Sequence, residues 1–134
     1  MNLSGYKVAV TGGSGGIGSA LMTGLVDAGA AVYNLDRTAS SNNVVEYIEV
    51  DLTDEESVKS AFSKIAKLDA LIVCAGIQLV GQDSKIADVS LATWQRTVDI
   101  NMTGAFLSVK YAMPALIKSG HGSVILIGSP TGMT

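Results

Sequence analysis

Residues 11–18 read Thr11-Gly12-Gly13-Ser14-Gly15-Gly16-Ile17-Gly18, with five glycines in the seven positions after Thr11. Such a run lets backbone approach an anion closely. One glycine permits a turn at positive φ. Another removes a Cβ that would hold the backbone away from a pyrophosphate, and a third lets the next helix pack tightly on the strand it leaves. The helix N-terminus then presents unpaired N–H groups and the positive end of its dipole. Asp36 follows about 20 residues later, where an acid can accept from a ribose 2′-hydroxyl. The chemistry implied is recognition of a dinucleotide. A Walker-type phosphate loop is excluded, because no Gly-Lys-Ser/Thr follows. A glycine loop for S-adenosylmethionine shares the same strand–Gly–helix–acid logic and stays open, as does a flexible loop beside a surface Asp.

These residues act together only if regular elements deliver them to one place. Tyr6–Val10 reads as a buried strand. A helix is expected over Gly16–Ala28, where Ile17, Leu21, Met22, Leu25 and Val26 recur at helical spacing. Further strands are expected at Ala31–Leu35, Val45–Val50, Ala70–Cys74 and Ser123–Ile127, with a loop over Thr38–Asn43. Thr53-Asp54-Glu55-Glu56 predicts an N-cap and an acidic first turn for a helix to about Lys67, carrying Val58, Phe62 and Ile65 inward. Residues 77–90 read as loop with short structure. One long helix is expected from Leu91 to Lys118, its buried stripe marked by Trp94, Val98, Met102, Ala105, Phe106, Val109 and Met113. Strand–helix alternation implies parallel pairing with right-handed crossovers. The fold class is therefore α/β: a doubly wound, Rossmann-type, mostly parallel sheet in three layers. Ligands of such sheets bind at the strands' C-terminal ends, where Thr11, Asp36, Asp51, Gly76 and Ser129 all fall.

The whole chain narrows the function further. At 134 residues it is read as one domain, residues 1–134. Hydrophobic residues make up 48% and charged residues 16%, which fits a packed domain and not disorder. A net charge of −3 without a Lys/Arg cluster argues against nucleic acid as a partner. Cys74 is the only cysteine and His121 the only histidine, so a disulfide, a cysteine or multi-histidine metal site and a Ser/His triad are not expected. His121 itself reads as a solvated loop residue. Met1 to Lys7 is too polar for a signal peptide, and no apolar run approaches a membrane span. A cytoplasmic location, with no membrane partner, is expected.

These residues resemble the short-chain dehydrogenase/reductase family, over essentially the whole chain but only the N-terminal part of that family's domain. Thr11-Gly12, three residues, then Gly16-Ile17-Gly18 match its cofactor motif. The resemblance implies cofactor contacts from Gly12, Ser14, Gly15, Gly16, Ile17 and Gly18. Asp36 matches the position that chooses NAD over NADP, and Arg37 beside it would soften the repulsion of a 2′-phosphate. Ser14 and Gly15 bring no basic side chain, so NAD is the cofactor expected. Asp51-Leu52 matches the adenine contact. Cys74-Ala75-Gly76 matches the end of an Asn-Asn-Ala-Gly motif, with Val73 and Cys74 in place of the two Asn. Asn101 matches the residue that helps hold a proton-relay water, and Ser129 the catalytic Ser.

The implied activity is hydride transfer between a nicotinamide and a small alcohol or carbonyl substrate. It requires a Tyr with a Lys four residues later. No Tyr-x-x-x-Lys occurs here: Tyr6, Tyr33, Tyr47 and Tyr111 are followed at that distance by Val10, Arg37, Asp51 and Ala115. The chain is thus read as a domain truncated after the fifth strand. Alone it is expected to be inactive; the alternative readings are a non-catalytic dinucleotide-binding module or an inactive fragment. With strand five as a sheet edge and the long helix partly uncovered, self-association or a homo-oligomer through those surfaces is also expected.

Overall fold

The computed structural model describes residues 2–40, 44–82 and 84–129. Residues 41–43 of the expected loop, and Pro130, Thr131 and Gly132 after Ser129, lie outside them. Five strands form one parallel sheet: β1 (Lys7–Thr11), β2 (Ala31–Asp36), β3 (Glu46–Glu49), β4 (Ala70–Val73) and β5 (Ser123–Leu126), in the order β3-β2-β1-β4-β5. The chain moves outward from β1 through β2 to β3, then returns to add β4 and β5 on the other side. The order therefore reverses beside β1, and a parallel sheet offers its ligand crevice at such a point. Register brings the site residues level. Thr11 lies opposite Leu35 on β2 and Val73 on β4, so both neighbouring strands end with β1.

Helices α1 (Gly16–Asp27), α2 (Glu55–Ser63), α3 (Leu91–Val98) and α4 (Gly104–Ser119) cover the sheet. Successive strand residues face opposite sides, and the two faces pack differently. Val8, Val10, Val32 and Ile72 meet Met22 of α1 on one face. Ala9, Leu35, Leu71 and Val73 meet Val58, Phe62, Leu107 and Leu116 of α2 and α4 on the other. Each large side chain so buried contributes roughly 1.5–3 kcal/mol, which holds α1, and with it the glycine loop, against the β1 end. Among the described residues no helix is long and apolar enough to cross a membrane.

Two local readings need correction. The cap of α2 is Asp54, whose carboxylate accepts from the Glu56 N–H at 3.1 Å, while Thr53 turns back to Asp51. Thr53 loses that position because a nearer carboxylate captures its hydroxyl. The helix also ends at Ser63 rather than Lys67, although Val58, Phe62 and Ile65 are buried as expected.

The long helix differs more. A π-helical turn at Asp99–Thr103 separates α3 from α4. It inserts a residue into the helical count and rotates everything after it. Trp94, Met102, Phe106 and Met113, expected inside, are 54%, 65%, 61% and 40% exposed. The buried stripe of α4 is instead Gly104, Leu107, Ser108, Ala112, Ala115 and Leu116. These small residues let the helix approach closely: a Cβ on Gly104 would sit 3.0 Å from Leu52 Cβ. β5 stands at the sheet edge, with Ile125 and Leu126 about half exposed.

Candidate functional site

Each cofactor-contact position expected from the sequence lines one cavity of about 510 Å³ at the C-terminal ends of the strands. Its floor is the glycine loop. Gly12 has φ +69°, a left-handed conformation, and a Cβ there would lie 2.6 Å from Ala75 Cα. At Gly18 a Cβ would collide with the Gly12 carbonyl oxygen and lie 2.7 Å from Gly13 Cα. Both therefore serve close backbone approach. The α1 N-cap, Gly15, brings no side-chain cap, and the first turn contains no acid. The first N–H groups of α1 thus remain available to an anion, beside Gly16 and Ile17.

Asp36 closes one end of the cavity. Its Oδ2 accepts from the Ser14 N–H at 3.0 Å, and its Oδ1 accepts from the Thr38 N–H at 3.2 Å. The Ser14 hydroxyl donates to the Thr38 carbonyl at 2.6 Å. The acid and the glycine loop are therefore one hydrogen-bonded unit, and Thr38 lines the cavity with them. Nothing but its place two residues after Asp36, where an Asx-type turn can form, marks Thr38 beforehand.

Asp51 and Leu52 form the adjoining wall. Hydrogen bonds from the Thr53 hydroxyl (2.7 Å) and N–H (2.9 Å) hold the Asp51 carboxyl below the ordinary carboxylate range, with a smaller contribution from Arg37, whose Nε is 3.8 Å away. A carboxylate whose folded pKa is depressed stabilises the fold above its unfolded pKa. That contribution is lost as pH falls through the folded value. The carboxylate is partly exposed and screened, so Asp51→Asn should cost about 0.5 kcal/mol at pH 7. The difference between variant and wild type should shrink at an acid pH well below the ordinary Asp value of about 3.9 as the carboxyl protonates. Denaturant titrations at both pH values check this; a difference that persists in acid would assign it to packing.

The opposite wall comes from β4 and the helix after it. Thr11 Oγ1 accepts from the N–H groups of Cys74 and Ala75, each at 3.3 Å, and this pins the β1 and β4 ends together. Burial pushes the Cys74 thiol up, so it stays neutral and acts as a small apolar wall. Arg96 and Ile100, one helical turn apart, also line the cavity with Ile77. Sequence reasoning missed them, although their i, i+4 spacing just before Asn101 would put them on one face.

Asn101 and Ser129 do not line this cavity. Asn101 sits in the π-helical turn, where its Oδ1 accepts from the Ile77 N–H at 2.8 Å and its Nδ2 donates to the Ile77 carbonyl at 2.9 Å. This pair of bonds fastens the loop after Gly76 to the helix. Ser129 is exposed, three residues beyond the end of β5. Its strand is continued past β5 by the bond from the Ile127 N–H to the Val73 carbonyl. His121, expected in solvent, has its Nε2 3.1 Å from the buried Asp69 carboxylate, at the opposite end of the sheet.

Comparison with known proteins agrees with this architecture. A family model described as short chain dehydrogenase matches residues 6–134. The chain is 31% identical to a D-xylose 1-dehydrogenase of Caulobacter vibrioides, over 96% of this chain and 55% of that protein. It is 34% identical to a 2,5-dichloro-2,5-cyclohexadiene-1,4-diol dehydrogenase of Sphingobium indicum, over 98% and 57%. The ligand-free structure of Thermoplasma acidophilum aldohexose dehydrogenase superposes with a TM-score of 0.88 at 33% identity, covering 95% of this chain and 50% of that one. The chain spans about half the length of these relatives.

Proposed function

Because the chain belongs to the short-chain dehydrogenase/reductase family, whose members bind nicotinamide dinucleotides, we propose that the protein is an NAD-dependent oxidoreductase acting on a small alcohol or carbonyl compound. One observation carries the cofactor reading. A single cavity is lined both by an uncapped helix N-terminus beside Gly12 and Gly18 and by the Asp36 carboxylate, which is hydrogen-bonded to the same glycine loop. Those two features suit a pyrophosphate and an unphosphorylated ribose. When bound, the dinucleotide supplies the hydride acceptor or donor.

The chain's own residues bind, orient and exclude. The α1 amides hold the pyrophosphate, Asp36 accepts from the ribose hydroxyls, and Asp51 and Leu52 flank the base. Ser129 orients the substrate oxygen and stabilises charge developing there. Asn101 holds a water on the proton's path. Transfer of the proton itself is assigned to no residue among these 134.

Titration of NADH fluorescence, with NADPH as control, tests this reading. Saturable binding, tighter for NADH, is the expected result; binding of neither would sink it. The uncovered apolar surfaces of β5 and of α3 and α4, with Trp94 and Phe106 outward, support self-association as part of the proposal. A monomer in light scattering at high concentration speaks against that part.

A further inference from the structure

We propose that Asn34, a fully buried residue of β2, is a positioning residue that sets the Ser14–Asp36 geometry and so the preference for a ribose 2′-hydroxyl over a 2′-phosphate. This rests on the dinucleotide reading above. Asn34 has no exposed surface. Its Nδ2 donates to the Ser14 hydroxyl at 3.1 Å. A hydroxyl has one hydrogen, and Ser14 gives its own to the Thr38 carbonyl. Ser14 Oγ can therefore only accept from position 34, and the amide of Asn34 supplies that donor. The backbone N–H of the same Ser14 holds one Asp36 oxygen, and the Thr38 N–H holds the other. A chain of bonds thus runs from the sheet interior through the glycine loop to the selecting carboxylate.

The other half of the amide points to the same role. Among the described residues, Asn34 Oδ1 has no hydrogen-bond partner. It lies under Gly13, where an added Cβ would collide with it and sit 2.7 Å from Met22 Sδ. A buried polar atom left unpaired is destabilising compared with an apolar atom of the same shape. Val32 and Asp36 share the face of Asn34, and its strand partners are Val10 on β1, which is apolar, and Tyr47 on β3. Stability alone would favour Leu or Val at position 34. What only Asn provides there is the donor to Ser14.

Asn34→Leu and Asn34→Val separate positioning from fold maintenance in the intact protein. At least one is expected to unfold in denaturant at or above the wild-type midpoint. The same variant should weaken NADH binding about fivefold and leave NADPH binding unchanged. Combined with Ser14→Ala, it should add nothing to the loss caused by Ser14→Ala alone. An unchanged ratio of NADH to NADPH affinity would overturn the proposal. So would a loss of both nucleotides in step with stability. Hydrogen exchange at the Ser14 and Thr38 amides, read without nucleotide, should accelerate in the variants; unchanged protection also overturns it. If the wild type binds neither nucleotide, the dinucleotide reading fails, while the exchange rates still decide whether Asn34 holds the loop.

Discussion

Gly18→Ala should abolish saturable NADH binding and lower stability by about 2 kcal/mol, whereas Gly24→Ala in the same helix should raise stability by roughly 0.5–1 kcal/mol. On helix propensity alone both substitutions gain, since Ala exceeds Gly by about 1 kcal/mol. Space decides the sign. At Gly24 an added Cβ meets nothing within 4 Å, so the propensity gain stands. At Gly18 it meets the Gly12 carbonyl carbon at 2.9 Å and Gly13 Cα at 2.7 Å, and it collides with the Gly12 oxygen. All three are backbone atoms, so no rotamer change relieves the contact. Helix α1 must then lift from the end of β1, against the packing of Met22 on Val8 and Val10. Overpacking of this kind typically costs about 1–3 kcal/mol, and it moves the first-turn amides off the anion they are proposed to hold. Denaturant melts and NADH titrations of both variants check the pair. Equal behaviour of the two, or binding retained by Gly18→Ala, would remove the close-approach argument.

What could be read in the chain beforehand follows the range of the interactions involved. The glycine loop, the strand ends and the acid at the end of β2 were legible because each is set by residues close in sequence. A left-handed turn calls for Gly12, and apolar runs of four to six residues mark the strands. The face of the long helix was not legible, for two physical reasons. The π-helical turn at Asp99–Thr103 changes the phase midway, and Phe106 and Met113 beyond it face solvent, as does Trp94 before it. The true stripe is also built from Gly104, Ser108, Ala112 and Ala115, which hydrophobic weighting passes over although small residues are what a close helix contact needs. At the site, Asp36 could be nominated singly. Its coupling to Ser14 and Thr38 could not, because it depends on the position of the glycine loop over the end of β2. Arg96 and Ile100 line the cavity from a helix that Asn101 fastens to Ile77, a long-range contact.

Asp36→Ser should weaken NADH binding by about ten- to a hundredfold and strengthen NADPH binding by about tenfold. The first effect is the loss of a charged acceptor. Hydrogen bonds to charged groups contribute about 1.5–3 kcal/mol, and Ser14 and Thr38 hold the Asp36 carboxylate in the position from which it is proposed to accept from a ribose. The second is relief of repulsion. Two unit charges 4 Å apart interact by about 4 kcal/mol at an effective dielectric of 20, and solvent at this half-buried site reduces that figure. Arg37 decides how far the preference swings. Its side chain is largely exposed and its Nε lies 3.8 Å from Asp51 Oδ2, so a 2′-phosphate must compete with Asp51 for it. Adding Asp51→Asn to Asp36→Ser should therefore raise NADPH affinity further, by more than Asp51→Asn does in the wild-type background, because the two sites share one cation. Parallel NADH and NADPH titrations of the four proteins measure both quantities. An unchanged NADH to NADPH ratio in Asp36→Ser would place the ribose elsewhere. Strict additivity would mean that Arg37 does not reach the phosphate.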